Sequence, residues 1–166
     1  MTGDWGSWRT ALENKGLTFT LSNTADASSP IVGESGTSRV GRSLTDGGVE
    51  LDLNKAGFRG GRVFVGYQRK SGGDGADCAA DGQGFSNMDA PDFSRIVAAW
   101  YEQQIGARVR IKVGLSDANS EFAFVDNGAE FINSSMGFSP TIFVLPTYPD
   151  PRLGVIVQTQ PTAWSY

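Results

Sequence analysis

Residues 108–115 alternate without a fault: Val109, Ile111, Val113 and Leu115 point one way, Arg108, Arg110, Lys112 and Gly114 the other. A period of two marks a strand, because successive Cβ atoms leave opposite faces of the backbone. The residues before it, Arg95 to Ile105, are also extended, and Gly106-Ala107 between the two runs predicts the turn of a β-hairpin. The constraint lies in the faces. Three cations in a row are ill suited to a dry core, so their side requires water. The other side requires something apolar.

The same period recurs along the chain. Leu17, Phe19 and Leu21 alternate with Thr18, Thr20 and Ser22 as a first strand, and 40–54 form a second, with Glu50, Asp52 and Asn54 on one face. A third covers Arg62 to Lys70, with Val63, Val65 and Tyr67 opposite Arg62, Phe64, Gly66 and Gln68. The last runs from Leu153 to Gln160. Ser/Gly-rich residues 25–38, the Gly/Asp-rich 71–92 and the aperiodic 117–137 read as long connections. Residues 2–16 predict a short helix: Trp5, Trp8 and Leu12 fall at helical spacing, Thr2 or Asp4 can cap its start and Gly16 its end. The chain is therefore expected to be all-β and a single unit, with a helix over 1–16 and antiparallel strands and loops over 17–166.

Composition narrows the function. Histidine is absent and Cys78 is the single cysteine, which removes histidine-dependent catalytic triads, internal disulfides and cysteine-based zinc sites. A formal charge of −4 without a basic cluster argues against nucleic acid. Asp74, Asp77 and Asp81 invite a calcium reading, but their spacing does not follow the alternate-residue ligand pattern and no glutamate closes the loop. No metal or other cofactor is expected. No apolar run is long enough for a transmembrane helix, which leaves open a β-barrel, whose strands give a weaker signal.

About six strands of one design fit either a β-sandwich with its apolar face inward or an outer-membrane barrel with its apolar face in lipid. Short turns alternating with long loops, and Tyr67, Trp100 and Tyr101 near strand ends as interfacial girdle residues, favour the barrel.

Several motifs sharpen this. Thr2-Gly3-Asp4-Trp5-Gly6 with Arg9, Leu12 and Lys15-Gly16-Leu17 opens the chain, and Trp100-Tyr101-Glu102-Gln103 and Ile111-Lys112-Val113-Gly114 follow. Then come Ser120-Glu121-Phe122-Ala123, Phe131-Ile132-Asn133-Ser134-Ser135-Met136-Gly137, Gly154-Val155 and Gln160-Pro161-Thr162. In this order they resemble the N-terminal half of the carbohydrate-selective, OprB-like porins of Gram-negative outer membranes. The resemblance implies an antiparallel transmembrane β-barrel segment with long extracellular loops, and passive diffusion of sugars such as glucose across the outer membrane. Family members carry a secretory signal before the Gly-Asp-Trp motif, where Met-Thr stands here, and are more than twice this length. Six strands cannot close a sugar-sized pore, so the remaining half of the barrel or other protomers are expected partners, with outer-membrane lipid around them.

On this reading the pore-lining candidates are Glu50, Arg62, Glu102, Arg108, Arg110 and Lys112, interspersed charges that supply donors and acceptors to a neutral polyol. Trp100 shares parity with Glu102 and offers a ring to a sugar, although a one-residue slip would turn it to the lipid girdle. Residues 121–137 resemble the family's pore-narrowing loop, which adds Glu130 and Asn133. For each charged side chain, plain solvation or cross-strand pairing is the competing role. Two other functions compete. A soluble β-rich carbohydrate-binding or adhesion module would use the same polar face with the apolar face packed in a core. A glycosidase would need two carboxylates across a cleft, such as Glu50 with Asp52 or Glu102, and no catalytic motif accompanies them, so no enzyme activity is expected.

Overall fold

A computed structural model describes residues 3–29, 39–73, 86–122 and 150–159. Six strands, β1 (Leu17–Ser28), β2 (Val40–Asp52), β3 (Gly61–Gly72), β4 (Phe93–Ile105), β5 (Val109–Ser116) and β6 (Arg152–Thr159), form one sheet in sequence order, every neighbouring pair antiparallel. Helix α1 (Trp8–Asn14) precedes β1, and α2 (Asn119–Phe122) follows β5. Among the described residues β1 and β6 each have a strand on one side only, so the sheet is an open wall.

The ends of the wall differ. Residues 53–60, which include a 3-10 turn at Leu53–Ala56, and residues 106–108 close the hairpins at one end. Residues 29–39, 73–92 and 117–151 make the connections at the other. The register puts whole rows on one face. Leu17, Leu51, Val63, Tyr101, Val113 and Val155 form one outward row, and Phe19, Val49, Val65, Ala99, Leu115 and Leu153 the next.

Burial in this wall is inverted. Leu21 is 75% and Leu153 82% exposed, whereas Lys70 (2%), Arg42 (3%) and Glu102 (3%) are buried. Among the described residues the buried hydrophobics are only Val40, Met88 and Ala118. A contiguous exposed apolar band needs an apolar partner. From Ile105 to Ile96 it climbs roughly eight residue steps of ~3.3 Å, or about 20 Å after a barrel-like tilt, close to the ~25 Å lipid band of outer-membrane barrels. Among the described residues the apolar face is exposed rather than packed in a core, which favours the barrel over the soluble module.

Several expectations need correction. The helix starts at Trp8, because Trp5 and Ser7 take left-handed backbone (φ 51° and 75°) and Asp4 turns in to accept hydrogen bonds from the Thr10 amide (3.1 Å) and hydroxyl (2.7 Å). No residue of α1 is buried, so it closes off no core; Trp5 instead packs on outward-facing Phe19 with ring centroids 6.4 Å apart. Strand β1 continues to Ser28, beyond the apolar alternation that revealed its start. Strand β5 begins at Val109, which leaves Arg108 exposed in the turn, with no ion pair among the described residues. Tyr101 lies in a middle row of the outward face rather than at its rim, its hydroxyl turned to Gln103. Trp100 is on the inner face.

Candidate functional site: the inner wall of β2 to β6

The inner face collects the charged residues of four strands. Glu102 on β4 sits between Arg62 on β3 and Lys112 on β5, to both of which it is paired in register. Its Oε1 accepts hydrogen bonds from Arg62 Nη2 (2.5 Å) and Nε (3.2 Å), and its Oε2 accepts one from Arg110 Nη1 (2.8 Å) and lies 3.6 Å from Lys112 Nζ. Arg62 also approaches Glu50 at 3.9 Å. Arg110 Nε donates to Gln158 on β6 (2.9 Å). Glu121, carried by α2, reaches back to the wall and bridges Arg110 and Lys112. Three cations (Arg62, Arg110, Lys112) thus meet three carboxylates (Glu50, Glu102, Glu121) within ion-pair distance, and these six charges sum to zero.

Burial grades these groups. The side chains of Glu102 and Glu121 are 4% and 6% exposed, those of Arg62 and Glu50 43% and 36%. Burial pushes the Glu121 carboxyl up, but hydrogen bonds from Lys112 and Arg110 outweigh it and hold the group below the usual carboxylate range. Glu121 is therefore ionised at neutral pH and clamps α2 to the wall.

Beside the charges lies an aromatic floor. Phe64 and Trp100 stack with centroids 5.3 Å apart and planes 29° from parallel, and Lys112 Nζ sits 4.1 Å from the Trp100 ring centre. The rings lie close to the sheet because glycines clear the space. A Cβ on Gly48 or Gly66 would come within 2.9 or 2.8 Å of the Phe64 ring. Gly114, opposite Trp100, adopts φ +136°, and its Cβ would stand 2.3 Å from the Ala99 carbonyl oxygen. Above this floor is a cleft of about 410 Å³, edged by Gln68, Lys112, Ser120 and Glu121. That volume falls in the range of small-molecule sites.

A second inner cluster lies toward the long connections. Arg42 Nη1 donates to Asp26 (2.7 Å) and Ser28 (2.8 Å), and its Nε to Asp89. Ser86 ties the same segment to β1 through Asp26 (2.7 Å). Lys70 Nζ donates to the carbonyls of Gly72 (2.8 Å) and Gly73 (3.1 Å) and lies 3.3 Å from Asp92. These contacts hold residues 86–92 against the interior.

The structure brings Glu50, Arg62, Trp100, Glu102, Arg110 and Lys112 together and leaves Arg108 apart in its turn. Glu130 and Asn133 lie outside the described residues, as do Asp74, Asp77 and Asp81. Sequence reasoning missed Phe64, Arg42, Glu121 and Gln158 as members of the wall. Phe64, Arg42 and Gln158 were detectable from strand parity, since they share a face with Arg62, Glu50 and Arg110. Glu121 sits on an irregular segment that gives no parity.

An antiparallel meander with an exposed apolar exterior and a buried charged interior defines a segment of a porin-type β-barrel wall. Residues 33–166 match the carbohydrate-selective porin, OprB family. The chain belongs to that family. Its fold is similar to the high-pH structure of Pseudomonas putida OprB, with a TM-score of 0.86 and 20% identity over 98% of this chain and 42% of that one. The low-pH structure of the same protein aligns with a TM-score of 0.58 and 21% identity, over 76% of this chain and 41% of that one. The chain thus spans about two fifths of the length of these porin chains. Among curated proteins no significant match was found.

Proposed function

We propose that this chain forms part of the wall of an outer-membrane pore through which sugars such as glucose diffuse passively. The observation that carries this reading is the neutral cluster of three cations and three carboxylates beside the Phe64–Trp100 floor. A neutral polyol gains from dense donors and acceptors and a flat apolar surface, while a wall without net charge holds no single ion strongly. Trp100, with the half-exposed Arg62 and Glu50, faces the solute. Glu102 and Arg110 hold these groups in place from behind, and Lys112 lies over the Trp100 ring at the edge of the cleft. Arg108, in its turn, contributes to the pore mouth, and Glu130 and Asn133 remain candidates for the narrowing loop. Glu102 and Glu121 are both tied to cations, which supports transport over hydrolysis by a carboxylate pair. The edges of β1 and β6, unpaired among the described residues, call for further strands, from the rest of the barrel or from other protomers, because unpaired backbone is costly in lipid.

Liposome swelling tests this with the full-length protein. Glucose is expected to enter faster than gluconate, and Trp100→Ala to lower glucose entry relative to glycerol by about two- to tenfold, the scale of one aromatic contact. Equal entry of glucose and gluconate in the unsubstituted protein would refute the selectivity.

A further inference from the structure

The outward face of the wall is apolar, hydroxylic or amidic at every described strand position except one. Arg69 on β3 shares the face of Val63, Val65 and Tyr67, so it points away from the pore toward the surrounding medium. It is exposed and forms no ion pair among the described residues. Its height is informative. Leu21, Tyr67 and Ile96 make the last apolar row toward the long connections, and Arg69 lies one row beyond, level with Asn23, Thr45 and Ser94. Asn23 Nδ2 donates to Ser43 Oγ (3.0 Å) and Thr45 Oγ1 (2.7 Å), which leaves the hydroxyl protons of Ser43 and Thr45 free to donate outward. Tyr67 reaches Ser94 with its hydroxyl (2.7 Å), the arrangement of an aromatic at a membrane interface.

From this placement we propose that Arg69, with the Ser43, Thr45 and Ser94 hydroxyls, binds the phosphate of an anionic lipid headgroup at the long-connection end of the wall. The inference rests on the barrel reading, since it needs the apolar band to lie in lipid. A cation with no ion-pair partner among the described residues, at that edge of the band, meets phosphate there, and a guanidinium fork matches it in two hydrogen bonds. The same row placed in hydrocarbon would cost energy without return, which explains why it begins where the apolar rows stop.

The test uses the full-length protein in neutral detergent, titrated with phosphatidylglycerol, phosphatidylcholine or inorganic phosphate and read by native mass spectrometry. Phosphatidylglycerol should be retained preferentially, inorganic phosphate weakly, and Arg69→Ala should weaken phosphatidylglycerol retention about tenfold, the scale of a lost charge-assisted hydrogen bond. Arg69→Lys should restore part of it. Glucose entry into liposomes, measured on the same variants, reports the barrel separately and should not change. Equal retention of phosphatidylglycerol by Arg69→Ala and the parent protein, with normal glucose entry, would overturn the lipid site. Loss of glucose entry in the unsubstituted protein would instead strike at the pore reading itself.

Discussion

Replacing Glu102 by Gln tests the charge balance of the wall. The substitution keeps the shape but takes one negative charge from a cluster of three cations and three carboxylates. Breaking a buried ion pair usually costs ~3–5 kcal/mol because the partner is left uncompensated. Here the loss is smaller. Glu121 continues to neutralise Arg110 and Lys112, and Arg62 is 43% exposed with Glu50 3.9 Å away. A cost of about 1–2 kcal/mol follows, the scale of one or two charge-assisted hydrogen bonds to a half-solvated partner. The effect on permeation is more diagnostic. A net charge of +1 acting on an anion ~6 Å away is worth between ~0.7 kcal/mol in bulk water and ~2.8 kcal/mol at an effective dielectric of 20. The lower end changes the anion and the cation about threefold each in opposite senses, so their permeability ratio should rise about tenfold at low salt and, with screening, about threefold at physiological salt. Reversal potentials across planar bilayers under a salt gradient measure this directly. If the ratio is the same in the parent and in Glu102→Gln at low salt, the cluster does not face the conduction path and the argument for the inner wall fails.

Two further outcomes follow. Placing a cation on the lipid face, Val113→Arg, should destabilise the inserted protein by ~2–4 kcal/mol, the depth-dependent cost for a barrel exterior, and is read by refolding into vesicles under urea; an unchanged midpoint would mean that Val113 does not face lipid. The depressed titration of Glu121 also fixes a pH dependence. A carboxyl held low by the fold stabilises the contact of α2 with the wall at neutral pH and above, and that contribution is lost as pH falls below the usual carboxylate range and through the group's lowered value. Single-channel conductance should therefore step only in strongly acid solution, below the usual carboxylate range, and Glu121→Gln should show the acid behaviour already at neutral pH; a step that survives in the variant assigns it to another group.

The strands were legible because period two is enforced where one face meets lipid and the other meets charge. The hairpin of β4 and β5 shows this well, since every residue from Val109 to Leu115 obeys it. Legibility faded where that contrast ends. In β1 the residues from Asn23 onward lie beyond the apolar band, so Ala25 to Ser28 are small or polar on both faces and read as a loop. Arg108 was expected on the strand and lies in the turn, because alternation by itself cannot mark where a turn stops. At Trp100 parity pointed inward, and the register with the Phe64 stack and the Lys112 contact places the ring on the inner face of the sheet. The clamp by Glu121 and the anchoring of residues 86–92 by Arg42 depend on chain segments folding back onto the wall, which local sequence does not encode.

One irregularity bears on how such a wall can change over generations. Between β3 and β4 the pairing passes from Gly66–Ala98 to Tyr67–Ile96, so Val97 has no partner and stands as a bulge. Removing a residue from β4 between Ala99 and Ile105 would reverse the facing of everything toward Phe93 and turn Arg95 to the bilayer. Losing Val97 alone would leave Phe93, Arg95 and Ile96 on their present sides, because Ile96 and Ala98 already oppose consecutive partners on β3. The bulge is thus a spare link in β4, where the chain can shorten by a codon without turning its coat inside out.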